Sequence, residues 1–493
     1  LLKRIVPMEV RSRFAPSPTG YMHIGNLRTA LYEYLVAKSA GGKFILRIED
    51  TDQERFVPGA VDIIYKTMKM VGLQHDEGPD VGGPYGPYVQ SERRAIYKEY
   101  ADKLVDLGGA HYCFCSEEEI EKQRKACEEA GIPFKFRDPC KKLSVEEARE
   151  RIAAGEKYTV RQTIDPHGTV SFDDCVYGHV TVETKTLDEG ILLKSDGLPT
   201  YNFANVVDDH LMKITHVLRG NEYLSSTPKY NLMYQAFGWE IPTYVHLPPI
   251  MKDEHNKLSK RNGDASFQDL VAKGYLPEAI VNYIILLGWS AKNDEEIFSM
   301  AELEKIFNIE GINKSPAIFD GEKLKWMNGV YVRALPPEKF HELALPYYKD
   351  AVKRDVDLEV LSKCVQPRVN VLNEIPEAVD FIDELPEYDI EMYVHKKMKT
   401  TPEIALKALE EAKNVVEAMT DADFASMDAV HAVLLAVPEK LGMKNGQFLW
   451  PVRTALTGKQ CTPVGAVEAV YLFGRDESLK RIEKGIEKLK AAV

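Results

Sequence analysis

The sequence predicts an α/β protein in which a parallel-sheet domain is split by an inserted module and followed by an all-helical region. Two observations lead to this prediction. Near the start, a strand pattern, a helix pattern and a second strand pattern follow one another, and strand patterns return after residue 190. After residue 322, helix patterns follow one another with little that is typical of a strand. Since a domain usually contains about 100–200 residues, the 493 residues suggest about three domains.

The first part of the chain is predicted to form a βαβ unit. Residues 10–15 alternate in character as a strand does, and an apolar periodicity over residues 27–35 predicts a helix. Gly41 and Gly42 end that helix, and residues 43–48 alternate again as a second strand. The turn after the first strand therefore leads into a helix N-terminus, whose N–H groups and dipole favour an anion such as phosphate.

Composition and periodicity divide the rest of the chain. A Gly- and Pro-rich passage over residues 78–87 precedes the inserted module, in which residues 117–130 predict an acidic helix and residues 158–182 predict strands. After residue 261 the clearest helix patterns cover residues 277–287, 359–369, 402–419 and 477–492. The predicted segments are 8–90 and 191–261 for the halves of the sheet domain, 91–190 for the inserted module, 262–330 for a helical junction and 331–493 for the helical region.

Charge and cysteine content limit the class of protein. With 63 basic and 76 acidic residues the formal net charge is −13, so a contact with nucleic acid must use local basic patches. No apolar run approaches the roughly 20 residues of a membrane span, and we expect neither a membrane partner nor a secretory signal. Seven cysteines, four of them between residues 113 and 140, favour a reducing compartment over a disulfide framework. We therefore expect a cytoplasmic protein.

Two short motifs far apart in the chain are interpreted together as the two halves of one ATP site. Residues 16–26 read Pro-Ser-Pro-Thr-Gly-Tyr-Met-His-Ile-Gly-Asn, and residues 257–261 read Lys-Leu-Ser-Lys-Arg. Alone, a histidine at a helix start is more often a cap, and a Lys-x-Ser-Lys turn is more often a solvated loop. On a βαβ frame they supply an imidazole, N–H donors and lysines for phosphate oxygens. The sequence contains no P-loop motif.

These motifs resemble those of class I aminoacyl-tRNA synthetases, specifically the bacterial-type glutamyl-tRNA synthetases. The resemblance continues through Arg-Ile-Glu-Asp-Thr-Asp at 47–52, Asn-Val-Val-Asp-Asp at 205–209 and Trp-Met-Asn-Gly at 326–329, in the family's order and spacing. It covers nearly the whole chain. It implies a Rossmann-like catalytic domain that uses ATP with Mg²⁺, activates L-glutamate to glutamyl-adenylate and transfers it to the 3′-terminal adenosine of tRNA(Glu).

The resemblance implies catalytic roles for His23, Asn26, Lys257 and Lys260. The first two would hold the phosphates of ATP from the helix start, and the two lysines would engage the leaving pyrophosphate. The full set of residues that the resemblance places against ATP is His23, Gly25, Asn26, Glu222, Tyr223, Lys257, Ser259 and Lys260. Within this set, Glu222 and Tyr223 are expected near the adenosine.

A glutamate pocket needs cations for two carboxylates and an acid for the ammonium group. Arg13 at the end of the first strand and Arg219 are the candidate cations, and Glu49 after the second strand is the candidate acid. Ligands in open α/β sheets bind at the carboxyl ends of strands, which favours Arg13 and Glu49. The resemblance adds Ser17, Tyr201 and Asn205 to the lining of this pocket.

Cys113, Cys115 and Cys140 in the inserted module resemble a zinc site found in some members of the family. Thiolates suit structural Zn²⁺, which usually takes four ligands. Those members supply a His or Tyr close to the third cysteine, whereas this chain has Phe136 there, and no spacing requires Cys127. We therefore expect free buried thiols at this position in preference to zinc.

On the RNA side, the resemblance implies that the inserted module binds the acceptor end and that the helical region binds the anticodon. Arg and aromatic side chains hold unstacked bases, and the segments that contain them are 366–368, 447–453 and Arg475. Each of these is more often structural. The family also implies a monomer and activation of glutamate that requires bound tRNA.

Three alternatives remain open from the sequence. A glutamine-specific relative would carry a β-rich anticodon module, and a short tRNA-modifying paralogue would lack the helical region after residue 322. A noncatalytic tRNA-binding protein that retained the fold would not need the phosphate-binding residues. The sequence does not decide whether tRNA(Gln) is charged with glutamate as well.

Overall fold

The computed structural model describes residues 9–52, 54–258 and 266–491. It divides into two compact units. Unit 1 comprises Leu1–Leu270 and Ile280–Asp320, and unit 2 comprises Val271–Ala279 and Gly321–Val493. Among the helices of the described residues, none combines the length and the apolar character that crossing a membrane requires.

Unit 1 contains all the strands found in the described residues and ten helices, two of which extend into unit 2. The strands are β1 (Arg11–Phe14), β2 (Lys43–Leu46), β3 (Ala110–Cys113), β4 (Thr159–Gln162), β5 (Thr169–Asp174), β6 (Gly178–Glu183), β7 (Ile191–Leu193), β8 (His216–Gly220), β9 (Thr243–Leu247), β10 (Ile250–Met251) and β11 (Ala317–Ile318). The helices are α1 (Ile24–Ser39), α2 (Ala60–Met70), α3 (Arg94–Asp106), α4 (Glu117–Glu129), α5 (Val145–Ala153), α6 (Tyr201–Leu211), α7 (Thr227–Phe237), α8 (Phe267–Ala272), α9 (Pro277–Leu286) and α10 (Met300–Ile306).

The predicted βαβ unit is confirmed. β1 and β2 pair in parallel from Arg11 opposite Lys43 to Phe14 opposite Leu46, and α1 connects them. The alternation in the sequence of β1 does not create an exposed face, because all four of its residues are buried. Arg11 and Arg13 are accommodated inside because each forms an ion pair, at 2.8 Å with Glu77 and at 2.9 Å with Asp209.

The second half of the sheet domain places β8 beside β1. The N–H of Thr215, just before β8, donates to the carbonyl oxygen of Arg11 at 2.9 Å. β8 pairs in parallel with β9, and the four strands of this sheet follow the order β6-β5-β9-β8. The carboxyl ends of β1 and β8 therefore lie near each other.

The strand pattern predicted for residues 158–182 belongs to two sheets. β4 lies between β3 and β7 in a three-stranded antiparallel sheet, whereas the hairpin of β5 and β6 joins β9 through Asp174 opposite Tyr244. The sequence cannot reveal this division, because the register of β5 depends on its long-range pairing with β9. The segment that begins at Tyr201 forms α6, which packs Phe203, Val206 and Val207 into the core.

Over the described residues 321–491, all the regular secondary structure of unit 2 is helical, as predicted. They are α11 (Gly321–Ala334), α12 (Pro337–Ala351), α13 (Leu358–Val365), α14 (Ile375–Ala378), α15 (Pro402–Ala418), α16 (Met427–Leu441), α17 (Asn445–Thr457) and α18 (Ala466–Lys490). The predicted last helix begins earlier than expected, and α18 is interrupted at Gly474, where φ is 67°. Glycine adopts this left-handed conformation without the strain of a side chain.

Candidate active site

A cavity of about 210 Å³ in unit 1 lies where β1 and β8 end. Phe14 and Gly220, the last residues of these strands, both line it. Since open α/β sheets bind ligands at the carboxyl ends of their strands, this cavity is the candidate active site. Its full lining is Arg13, Phe14, Ala15, Pro16, Ser17, Thr19, Asn26, Thr29, Glu33, Glu49, Tyr201, Leu218, Arg219, Gly220, Glu222 and Tyr223.

Arg13 lies at the cavity, and most of its N–H groups donate hydrogen bonds to buried acidic residues. Its Nε donates to Asp209 Oδ1 at 2.9 Å, and its Nη1 donates to Glu33 Oε1 at 2.8 Å. Asp209 also accepts from Arg47 Nη1 at 2.8 Å. Burial alone would raise the pKa of Asp209, but the two arginines lower that pKa below its usual value. Among the described residues, none accepts a hydrogen bond from Nη2 of Arg13, so this nitrogen is available to a ligand.

One carboxylate oxygen of Glu49 accepts hydrogen bonds from the protein, and the other is available to a ligand. Oε1 accepts from Nε and Nη2 of Arg47, at 3.2 and 2.9 Å, and from Nε2 of Gln90 at 3.4 Å. Burial raises the pKa of Glu49, and Arg47 and Arg13 partly offset that effect. No hydrogen bond from a described residue reaches Oε2. A cationic ligand in the cavity would interact favourably with this buried carboxyl group.

Arg219 is a buried cation with neutral partners. It is 5% exposed, and its Nε and Nη2 donate to His246 Nε2 at 3.2 Å and to Thr227 Oγ1 at 2.8 Å. The rings of three tyrosines surround its guanidinium group, with the nearest ring, that of Tyr230, at 4.7 Å. Among the ion pairs of the described residues, Arg219 has no carboxylate partner. A buried charge without a counter-ion is costly, so the cavity is suited to an anionic ligand at this point.

The cavity brings together eight of the predicted site residues. They are Arg13, Ser17, Asn26, Glu49, Tyr201, Arg219, Glu222 and Tyr223. Asn205 does not line the cavity, and its Nδ2 donates to the carbonyl oxygen of Tyr201 at 2.6 Å. Its contact therefore stabilises the turn of α6 that presents Tyr201.

Of the residues predicted to bind ATP, Asn26, Glu222 and Tyr223 line the cavity, and the other described members of the set lie outside its lining. His23 is the N-cap of α1, and its Nδ1 accepts the N–H of Gly25 at 3.0 Å. A Cβ atom on Gly25 would lie 3.2 Å from that Nδ1, so a small residue suits this position. Lys257 is exposed and forms an isolated antiparallel bridge with Met251. Ser259 and Lys260 fall outside the described residues.

Sequence reasoning missed the buried acids and the histidine that hold the two arginines. Glu33 and Asp209 contact Arg13, and His246 contacts Arg219. A signal for the acids was available, because Glu33 stands within the apolar run of α1 and Asp209 follows the apolar start of α6. An acid within the buried face of a predicted helix indicates a buried cation partner.

The cysteine cluster of the inserted segment has a fourth donor. One ligand atom from each of Cys113, Cys115, Asp138 and Cys140 lies within 4.8 Å of the others. Asp138 Oδ2 lies 3.0 Å from His111 Nε2, which orients the carboxylate. The absence of a His or Tyr near Cys140 is thus compensated by Asp138, and Cys127 is not part of the group. Three thiolates and a carboxylate fit the four-coordinate donor set of Zn²⁺.

The candidate RNA-binding segments of unit 2 combine structural and exposed residues. Gln366 is buried and donates to the carbonyl oxygens of Val332 and Leu335, which indicates a structural role. Trp450 contacts His395, with ring centres 4.1 Å apart and ring planes tilted by 51°, and Arg453, whose guanidinium carbon is 4.2 Å from the ring centre. This partly exposed cluster combines the aromatic and guanidinium side chains that hold unstacked bases in RNA-binding proteins.

Comparison with known proteins assigns both parts of the chain. Residues 9–326 match the catalytic domain of class I tRNA synthetases (E and Q), and residues 339–486 match an anticodon binding domain. The chain is 60% identical to a glutamate–tRNA ligase of Clostridium botulinum over 483 residues, which cover 98% of this chain and 99% of that protein. It is 58% identical to the glutamate–tRNA ligase of Clostridium acetobutylicum, with the same coverage.

A solved structure shares the fold over nearly the whole length. The crystal structure of a glutamate tRNA ligase from Elizabethkingia meningosepticum, in complex with its amino acid, matches with a TM-score of 0.84 at 35% identity. The match covers 98% of this chain and all of that chain. The match therefore includes both the sheet domain and the helical region.

Proposed function

The chain belongs to the class I tRNA synthetases specific for glutamate and glutamine, and we propose that it charges tRNA(Glu) with L-glutamate in two steps at the cavity of unit 1. In the first step an oxygen of the α-carboxylate of glutamate attacks the α-phosphorus of ATP. The bond between that phosphorus and its bridging oxygen breaks, and pyrophosphate leaves. In the second step a ribose hydroxyl of the terminal adenosine attacks the acyl carbon, and AMP leaves.

The observation that carries this proposal is the set of three charged groups in one small cavity. Arg13 and Arg219 each keep one terminal nitrogen without a described protein acceptor, and Glu49 keeps one oxygen without a described donor. We propose that the arginines pair with the carboxylates of glutamate and that Glu49 pairs with its ammonium group. Ser17 and Tyr201 line the same cavity and complete the contacts. A neutral side-chain amide would leave a buried guanidinium less well compensated, which favours glutamate over glutamine.

We propose that ATP lies between the N-terminus of α1 and the segment around Lys257. His23 and Asn26 would donate to phosphate oxygens, while Lys257, Ser259 and Lys260 would engage the leaving pyrophosphate. Glu222 and Tyr223 would contact the adenosine from the end of β8. Mg²⁺ bound with ATP supplies further neutralisation of the phosphates. Since negative charge grows on several oxygens as pyrophosphate leaves, positioned cations and N–H donors provide most of the catalysis.

A noncatalytic or tRNA-modifying paralogue is not favoured. The match to the anticodon binding domain over residues 339–486 supports a full-length synthetase rather than a short paralogue. The glutamate-binding groups and the two ATP motifs are all present in the sequence, although a binding protein would not need them. The predicted roles of residues 91–190 at the acceptor end and of residues 331–493 at the anticodon remain part of the proposal.

An aminoacylation assay tests the function directly. L-Glutamate and L-glutamine are supplied separately with tRNA(Glu) and tRNA(Gln), and charged tRNA is measured for all four pairs. We expect glutamate on tRNA(Glu), no glutamine on either tRNA, and ATP–pyrophosphate exchange only when tRNA is present. Glutamate on tRNA(Gln) would identify a non-discriminating enzyme. Failure to glutamylate either tRNA would contradict the proposed function.

We also propose that Cys113, Cys115, Cys140 and Asp138 bind one structural Zn²⁺. The four donors converge within 4.8 Å, and zinc would connect the end of β3 to the turn at residues 138–140. In this role the metal contributes to the folding of the inserted module and not to the reaction. Such a thiolate cluster, together with the other free cysteines, supports a cytoplasmic location. The monomeric state of the enzyme is proposed on the resemblance alone.

A further inference from the structure

The two arginines of the cavity are held by different chemistry. Arg13 donates to the carboxylates of Asp209 and Glu33, so its charge is compensated inside the protein. Arg219 donates Nε to His246 and Nη2 to Thr227, both of which are neutral acceptors. The orientation of the uncompensated cation therefore depends on the presence of a lone pair on His246 Nε2.

The proton of His246 is fixed by Asp174. His246 Nδ1 lies 2.6 Å from Asp174 Oδ2, which also accepts the backbone N–H of His246 at 3.1 Å. Oδ1 of Asp174 accepts the N–H groups of Val176 and Tyr177 at 2.9 and 2.8 Å. Because both oxygens of this carboxylate accept hydrogen bonds, Nδ1 carries the proton, and because an arginine nitrogen can only donate, Nε2 carries the lone pair that accepts from Arg219.

The surroundings keep this pair in the required protonation state. Burial lowers the pKa of His246, which favours the neutral ring at physiological pH. Burial alone would raise the pKa of Asp174, but hydrogen bonds from His246 and from the backbone lower it below its usual value. A neutral imidazole beside an ionised carboxylate is the combination that presents a lone pair to Arg219.

The three side chains follow one another across neighbouring strands. Asp174 ends β5 and lies opposite Tyr244 of β9, while His246 of β9 lies directly opposite Arg219 of β8. Asp174 and His246 are 4% and 0% exposed, so water does not compete for their contacts. The order of the strands thus fixes the distance from the carboxylate to the guanidinium group.

We infer that Asp174 and His246 are positioning residues that orient Arg219 so that its Nη1 is presented to a carboxylate of the substrate. With Nε and Nη2 held by His246 and Thr227, Nη1 is the nitrogen that has no described protein acceptor. The inference rests on the proposed function, in which Arg219 binds glutamate. It gives His246, a buried residue that does not contact the substrate, a specific role in the affinity for the amino acid.

Substitutions at His246 that separate ring shape from hydrogen bonding test this inference. His246→Phe keeps the ring and removes both nitrogens, whereas His246→Gln keeps an acceptor near the position of Nε2. KM for glutamate, KM for ATP and kcat are measured in the aminoacylation assay with saturating tRNA, and thermal unfolding monitors the fold. His210→Phe is the matched control, because the His210 ring stacks on Trp239 with ring centres 3.7 Å apart and contacts none of Asp174, His246 and Arg219.

We expect His246→Phe to raise KM for glutamate about tenfold or more, as expected for a weakened charged hydrogen bond, with KM for ATP unchanged. His246→Gln should recover a large part of this loss, and His210→Phe should leave KM for glutamate unchanged. A folded His246→Phe enzyme with wild-type KM for glutamate would overturn the inference, as would equal losses in His246→Phe and His246→Gln. Wild-type enzyme that does not glutamylate tRNA would overturn the proposed function and this inference together.

Discussion

At the scale of single residues, His23 combines a structural and a chemical role. Its Nδ1 accepts the N–H of Gly25 at 3.0 Å and caps α1, so the proton of the neutral ring must lie on Nε2. Nε2 is then the donor that we propose for a phosphate oxygen of ATP. One ring nitrogen thus stabilises the helix, and the other is the one proposed to bind the nucleotide.

Substitution of His23 should separate these two roles. His23→Asn retains a good N-cap but removes the Nε2 donor, so we expect wild-type thermal stability with kcat about 10²- to 10³-fold lower, by analogy with the loss of one oxyanion donor. His23→Ala should lose the same activity and also about 1 kcal/mol of stability. Ser299→Ala, which removes the N-cap of α10, should lose stability alone. An active His23→Asn enzyme would contradict the proposed phosphate contact.

The charged residues proposed to face the substrate were predictable, whereas their supporting partners were not. The family resemblance and the chemistry of a diacid ligand indicate Arg13, Glu49 and Arg219, and their positions at strand ends further favour Arg13 and Glu49. Asp209 and His246 are distant from them in the sequence, and only the folded chain brings Asp209 to Arg13 or His246 to Arg219. No local pattern encodes a pairing between residues separated by such a long stretch of chain.

At the scale of elements, the cysteine cluster is connected to a segment with little core of its own. Helix α4 between Cys115 and Asp138 has no buried residue, although its capping box at Ser116 satisfies its first N–H groups. Such a helix gains little from packing, and most helical stability in proteins comes from packing. The proposed metal would therefore add a tertiary anchor to residues 114–139, beside the contacts of Phe114 with Arg151 and of Phe136 with Arg161.

Metal analysis of purified protein prepared without chelators tests this proposal. We expect about one Zn²⁺ per chain, as a single four-coordinate site requires, and faster amide hydrogen exchange over residues 114–139 after the metal is removed. Cys115→Ser should reduce the zinc content, whereas Cys127→Ser should retain it, because Cys127 lies on α4 outside the group. A zinc content near zero in the wild-type protein would exclude the site.

The same contrast between local and long-range information applies to the strands. The βαβ unit of β1, α1 and β2 was predictable because its pattern is local. The division of residues 158–182 between two sheets was not, because β5 pairs with β9 about 70 residues later in the chain. The arginines of β1 are buried for a similar reason, since their acidic partners Glu77 and Asp209 come from distant segments.

At the scale of the whole molecule, an acidic protein must bind a polyanion. The formal net charge of −13 opposes the approach of tRNA, so affinity has to come from local contacts of Lys and Arg with phosphates. These contacts are exposed and are screened by salt. The residues of the cavity proposed for glutamate are buried, so interactions of Arg13, Glu49 and Arg219 with a ligand would be screened much less.

Salt should therefore act differently on the two substrates. Between about 50 and 200 mM KCl we expect KM for tRNA to rise by more than about tenfold, because each neutralised phosphate releases counterions. KM for glutamate, measured at saturating tRNA, should change less than about twofold, because Debye screening is weak in a buried site. Steady-state aminoacylation at several salt concentrations gives both constants, with sodium sulfate at matched ionic strength as the control for specific effects of chloride. A parallel rise of both KM values would show that glutamate binds in a solvent-exposed site and would contradict its assignment to the buried cavity.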